Sequence, residues 1–104
     1  MKQILVIDDM KEFKPPDDYD EGDTVVYART EEEGFRLIDA HSWDEVWLDH
    51  DLGGDSTIRP IVLYLAERAF NGNPARVEKF IVISYNPVGA EWIRSSLALF
   101  YQIS

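Results

Sequence analysis

Three short apolar runs in this chain each stop abruptly at polar residues, and that pattern limits the fold more than any other feature. Gln3 to Ile7 (QILVI) ends at Asp8-Asp9, Glu45 to Leu48 (EVWL) ends at Asp49-His50-Asp51, and Lys79 to Ile83 (KFIVI) ends at Ser84. Apolar runs of this length without alternation are strands buried on both faces, as in a parallel sheet. Thr24 to Ala28 (TVVYA) adds a further strand by composition.

Segments with helical spacing follow three of these strands. Thr30 with Glu33 forms a capping box, in which hydroxyl and carboxylate satisfy free backbone N–H groups. It opens a helix from Glu31 to about His41, with Phe35, Leu37 or Ile38, and Ala40 on its apolar face, although Gly34 costs about 1 kcal/mol relative to Ala there. Ile58, Ile61, Val62, Leu65, Ala66 and Ala69 mark a second helix, with Pro60 in its first turn. Asn86 caps and Pro87 opens a third, whose buried stripe is Ala90, Ile93, Leu97 and Phe100 or Tyr101. Residues 10 to 23 contain Pro15-Pro16 among many acids and read as a solvated loop with at most one helical turn.

Strands alternating with helices of this length make βαβ units with right-handed crossovers. The expectation is a single α/β domain over residues 1–104 with a four-stranded, mainly parallel sheet.

Ten basic against twenty acidic residues give a net charge of −10, which repels nucleic-acid backbones and anionic membrane surfaces. There is no cysteine, so disulfides, thiolate zinc sites and a Cys nucleophile are excluded. The longest apolar run, Phe80 to Ile83, is far short of the ~20 residues of a membrane span, and no signal-peptide core follows Met1. A soluble cytoplasmic protein is expected.

In open parallel sheets ligands bind outside the carboxyl ends of the strands, and Asp8, Asp9, Asp49, Asp51 and Ser84 all belong there. Carboxylates converging on one edge repel unless protons or a cation join them. Mg²⁺ or Mn²⁺ is the natural partner of such oxygens and would let an acidic protein hold a phosphorylated ligand. His50, between two acids, is suited to acid–base work, yet strand alternation can turn it away from Asp49 into a structural role. Ser84 and Asn86, with backbone N–H groups around Val88 and Gly89, form an anion site at a helix N-terminus, or merely a strand end and a cap. Arg29 reaches a phosphate or an exposed glutamate. His41 suits a helix end, and Trp43, Trp47 and Trp92 suit core or interface positions. The acids from Asp17 to Asp23 read as a solvated surface, with a basic partner as the alternative.

The segments ILVIDD, VWLD and IVIS resemble response-regulator receiver domains. That resemblance implies a shortened, flavodoxin-like three-layer fold with the sheet in order 2-1-3-4 and helices on both faces, with Asp8 and Asp9 as metal-side acids, Asp49 as the phosphoacceptor position and Ser84 as a hydroxyl contacting the phosphoryl group. A closer resemblance is to cyclic-phosphate-processing receiver domains, carried by IDD at 7–9, ARTEEEGFRLI at 28–38, LDHDLGG at 48–54 and ISYNPVGAEWI at 83–93. It implies a phosphodiesterase that opens a small cyclic phosphate of a nucleotide or ADP-ribose derivative. In that scheme Mg²⁺ sits on Asp8, Asp9 and Asp49, Asp51 or His50 manages the proton, and Ser84, Asn86, Gly89 and Arg29 contact the ligand.

The sequence departs from these patterns in three places. No fifth strand with a terminal lysine follows the last helix, Ile83 stands where a histidine is usual, and Met10-Lys11 replaces Glu-Arg. A receiver-like binding module without chemistry, or an acidic mimic of nucleic acid, are the alternative readings. Loss of the fifth strand and of the first crossover helix would bare apolar surface and two sheet edges, which makes a homodimer an expectation.

Overall fold

The computed structural model describes residues 1–9 and 22–104, and within them every apolar run is a strand. The elements are β1 (Gln3–Ile7), β2 (Thr24–Ala28), α1 (Glu31–Ala40), β3 (Trp43–Leu48), α2 (Arg59–Phe70), β4 (Val77–Val82) and α3 (Pro87–Leu97). All strands are parallel, and their order is β2-β1-β3-β4, as the sequence predicts. The loop expected over residues 10–23 falls outside the described residues except for its end. There Asp23 is buried, not solvated, and its carboxylate accepts the Lys2 N–H at 2.8 Å.

Alternation along the strands separates two apolar layers. Leu5, Ile7, Val46, Leu48 and Phe80 point to one face and join Ile38 of α1, Ile61, Val62 and Leu65 of α2, and Ile93 and Leu97 of α3. Ile4, Val6 and Trp47 point to the other, with Val25, Tyr27, Ile81 and Ile83 packed partly buried around them. The expectation of helices on both faces is therefore corrected for the described residues: all three helices lie on the first face. The connections carrying α1 and α2 advance across the sheet in one direction, and α3 leads on beyond β4 in that same direction. Right-handedness then puts all three on one side.

Helix α1 packs closely because Gly34 is buried, where a Cβ would lie 2.8 Å from Ile61 Cδ1 and 3.3 Å from Ile7 Cγ2. The glycine that looks like a helix defect is the contact that seats α1 on α2 and β1. Ala40, expected on the apolar face, is exposed. The capping box forms, with Thr30 Oγ1 accepting from the Glu33 N–H at 3.1 Å.

Beyond α3 the chain returns to the sheet. Ile103 bridges Phe80 in parallel, the Phe80 N–H donates to the Gln102 carbonyl at 2.9 Å, and the Ser104 and Val82 N–H groups close the pairing at 3.0 Å each. The outer edge of β4 is thus covered by residues 102–104, which corrects the expectation of two bare edges. No helix among the described residues is long and apolar enough to cross a membrane.

Of the two candidates for the end of the α3 stripe, Tyr101 packs inward while Phe100 is exposed. The Tyr101 ring meets Phe80 edge-on at 5.0 Å, and its hydroxyl donates to the Leu65 carbonyl (2.8 Å) while accepting from the Ala75 N–H (3.1 Å). Tyr101→Phe leaves that N–H without its partner and should lower stability by about 1–2 kcal/mol. The check is the urea midpoint at unchanged slope; an unchanged midpoint would show that water replaces the hydroxyl.

Candidate functional site

The ladder continues past the last paired residues of β1 and β3. The Asp49 N–H donates to the Ile7 carbonyl at 3.1 Å and the Asp8 N–H to the Ala28 carbonyl at 3.0 Å, so Asp8 and Asp49 stand side by side at the strand ends. With Asp9 they offer three carboxylate oxygens within 4.8 Å of one another. Asp8 is buried, Asp49 is partly buried and Asp9 lies on the solvent side. The turn after β3 closes against them: Leu52 and Ser56 donate to the Ser56 and Gly53 carbonyls, and Asp51 bridges Thr57. Gly53 and Gly54 both have positive φ, and a Cβ on Gly53 would lie 3.1 Å from Asp9 Oδ2.

This crowding raises the Asp49 carboxyl from its ordinary 3.8 to about 6. Burial is the largest cause, followed by its hydrogen bond to Asp8 and the Asp8 charge; the Asp51 charge adds and the Asp51 backbone N–H opposes. The cluster can hold a shared proton or a hard cation. Three oxygens so spaced suit Mg²⁺, which takes oxygen ligands at about 2.0–2.1 Å and keeps its remaining positions for water or phosphate.

His50 does not join the carboxylates. Its ring is buried against α3, where a Cβ on Gly89 would lie 2.5 Å from His50 Cγ. Arg59 Nε donates to His50 Nε2 at 3.0 Å, which leaves the ring proton on Nδ1, facing Asp51 Oδ1 at 2.9 Å. Both ring nitrogens are occupied, and the role that fits this geometry is orientation of Asp51 and Arg59. Asp51 itself is largely exposed.

Asn86 caps α3 by accepting the Gly89 N–H at 3.1 Å. Gly89 thus has its N–H engaged and its open side filled by His50, which accounts for the glycine without a ligand. Ser84 Oγ accepts the Asn86 N–H at 3.1 Å, so its own O–H remains a donor, as does the Asn86 amide NH₂. Arg29 stacks over Tyr27 at 4.5 Å and its Nη1 lies 3.4 Å from the Asp8 carbonyl, which puts it beside the cluster on the β2 side. Ile83 packs with the apolar layer on the face away from the helices. Sequence reasoning missed Arg59, whose guanidinium lies over the Trp92 ring at 4.4 Å.

The family described as the cyclic-phosphate processing receiver domain matches residues 3–98. No curated protein matches the chain.

Between 3.8 and about 6 the folded protein keeps a proton on Asp49 that the unfolded chain has lost, so this group's contribution to stability falls as pH rises through that window. Asp49→Asn should therefore stabilise the metal-free protein by about 1 kcal/mol near neutral pH, a figure reduced for solvent screening of a part-exposed group. The gain should vanish towards pH ~4. Thermal melts in chelator across the range measure it, and a gain that grows on acidification would contradict the assignment. Gly89→Ala should cost about 1–3 kcal/mol by displacing the His50 ring, read in the same melts.

Proposed function

This chain belongs to the cyclic-phosphate processing receiver family, and from that premise we propose that it hydrolyses a small cyclic phosphate with a divalent cation held by Asp8, Asp9 and Asp49. The observation that carries the reading is the convergence of those three carboxylates at the carboxyl edge of the sheet, with Asp49 pushed up to about 6. A bound Mg²⁺ or Mn²⁺ would supply the positive charge that draws phosphate oxygens into an acidic pocket and polarises them.

The chain's own residues divide the remaining work. Ser84 O–H and the Asn86 amide donate to phosphate oxygens from the β4 side, while Arg29 lends positive charge from the β2 side. Asp51, held at one oxygen by His50 Nδ1–H, has the other oxygen open to take a proton from the attacking water. A P–O bond to water forms, one ester P–O bond of the ring breaks, and the proton taken by Asp51 passes to the departing ester oxygen. General-base assistance of this kind contributes about 10²–10⁴-fold. Its substrate class is a cyclic phosphate on a nucleotide or ADP-ribose derivative, and the protein acts in the cytoplasm.

Phosphorus NMR with Mg²⁺ and a panel of cyclic nucleotides and ADP-ribose cyclic phosphate tests the reading. Ring opening should occur, should be lost in Asp49→Asn, and should fall by about 10²-fold in Asp51→Asn. No conversion across the panel, with line broadening alone, would replace hydrolysis by a receiver-like binding module. Mg²⁺ at about ten times its Kd should also stabilise the wild type by about 1.4 kcal/mol and leave Asp49→Asn unmoved in a thermal melt.

A further inference from the structure

Arg59 is held in a fixed plane without an ion pair; Arg36, Arg76, Lys79 and Arg94 also lack one among the described residues, but none of them is anchored by both a ring and a side-chain hydrogen bond. In a chain with twice as many acids as bases, Lys2 is paired with Glu45 and Arg68 with Asp39. Arg59 has no ion pair among the described residues. Its guanidinium is held by groups without charge of their own: the Trp92 ring lies 4.4 Å beneath it, and Nε donates to His50 Nε2 at 3.0 Å. Both contacts fix the plane of the fork, and neither offsets its charge. The two terminal nitrogens have no hydrogen-bond partner among the described residues and are open to solvent.

The position of this fork matters as much as its freedom. His50 follows Asp49 directly, and its ring lies against Gly89 in the first turn of α3. Trp92, one turn further along the same face, carries the guanidinium. Arg59 is therefore anchored on the residue that follows Asp49 and on the second turn of α3, the helix that Asn86 caps. A planar fork whose two terminal nitrogens are free can take phosphate oxygens bidentately at that end, and stacking reduces the entropy lost when it does so.

We propose that Arg59 is the anion-binding arm of this site, gripping non-bridging phosphate oxygens through its terminal nitrogens, with Trp92, His50 and Asp51 as its positioning residues. The inference rests on the reading of the site as phosphate-handling. It adds a ligand contact that the family resemblance did not supply.

The test is a titration with inorganic phosphate in Mg²⁺ buffer, followed through the arginine Nε–H and tryptophan indole N–H resonances in nitrogen-15 NMR. The Arg59 and Trp92 signals should move together on one saturating curve in the wild type, a result that needs no variant to fold. Arg59→Gln should weaken phosphate binding about tenfold or more, and Arg59→Lys should recover only part, because a point charge lacks the fork. Phosphate-induced shifts that bypass Arg59, no binding at all, or a lysine variant equal to wild type would each overturn the proposal. Phosphate binding at Arg59 without turnover of any cyclic phosphate would keep the arm and remove hydrolysis. Asp49-dependent turnover with phosphate affinity indifferent to Arg59 would do the reverse.

Discussion

The parallel ladder between β1 and β3 is what turns an acidic sequence into a site. It fixes Ile7 opposite Leu48, so the next residues, Asp8 and Asp49, stand together whatever their charges prefer. The repulsion cannot relax by sliding the strands, because a slip of one residue would exchange the two apolar faces. Leu5, Ile7, Val46 and Leu48 are fully buried, and each contributes roughly 1.5–3 kcal/mol by leaving water. Even an upper-bound correction leaves that sum above the cost of crowding one carboxyl, so packing wins and the charge problem is passed to the strand ends.

One change of side-chain direction then divides the site in two. Asp49 turns into the carboxylate cluster, while His50 turns under α3 to meet Gly89 and Arg59. The first half gathers negative charge; the second orients a cation through neutral contacts. Because His50 donates to Asp51 while accepting from Arg59, a single buried ring links an exposed carboxylate to a partly buried guanidinium. Gly89 and the Asn86 cap make room for that ring, so the opening of α3 is shaped as much by what lies beneath it as by what it could bind.

Much of this was legible in the sequence where the signal was local or periodic. The strands and the gathering of Asp8, Asp9 and Asp49 followed from apolar runs and what ends them, and the Thr30 and Asn86 caps from their own local chemistry, while the strand order came with the resemblance to receiver domains. Strands buried on both faces do not reveal which face carries helices, and only the common direction of the connections explains why α1, α2 and α3 share one. Gly34 looked like a cost because propensity is read along the helix, whereas its reason is Ile61, across a helix pair. Residues 102–104 were too short to show a period. Arg59 lay hidden for the same kind of reason: its partners His50 and Trp92 are distant in sequence, and a lone arginine before a proline forms no pattern.

Net charge, finally, is a poor guide to what such a site can hold. A charge of −10 governs the approach of extended polyanions, which meet the whole surface, but a small phosphate meets only the groups within a few ångströms. Around the strand ends those groups are of both signs. Carboxylates crowd the β1–β3 edge, Arg29 stands on the β2 side, Ser84 and Asn86 keep donors at the turn between β4 and α3, and Arg59 of α2 is held over α3 by His50 and Trp92. In the proposed reading a cation on the first set and an anion against the last complete each other. On that proposal the acids that would repel a phosphate alone are the reason a cation would come first, and the phosphate would bind to the pair.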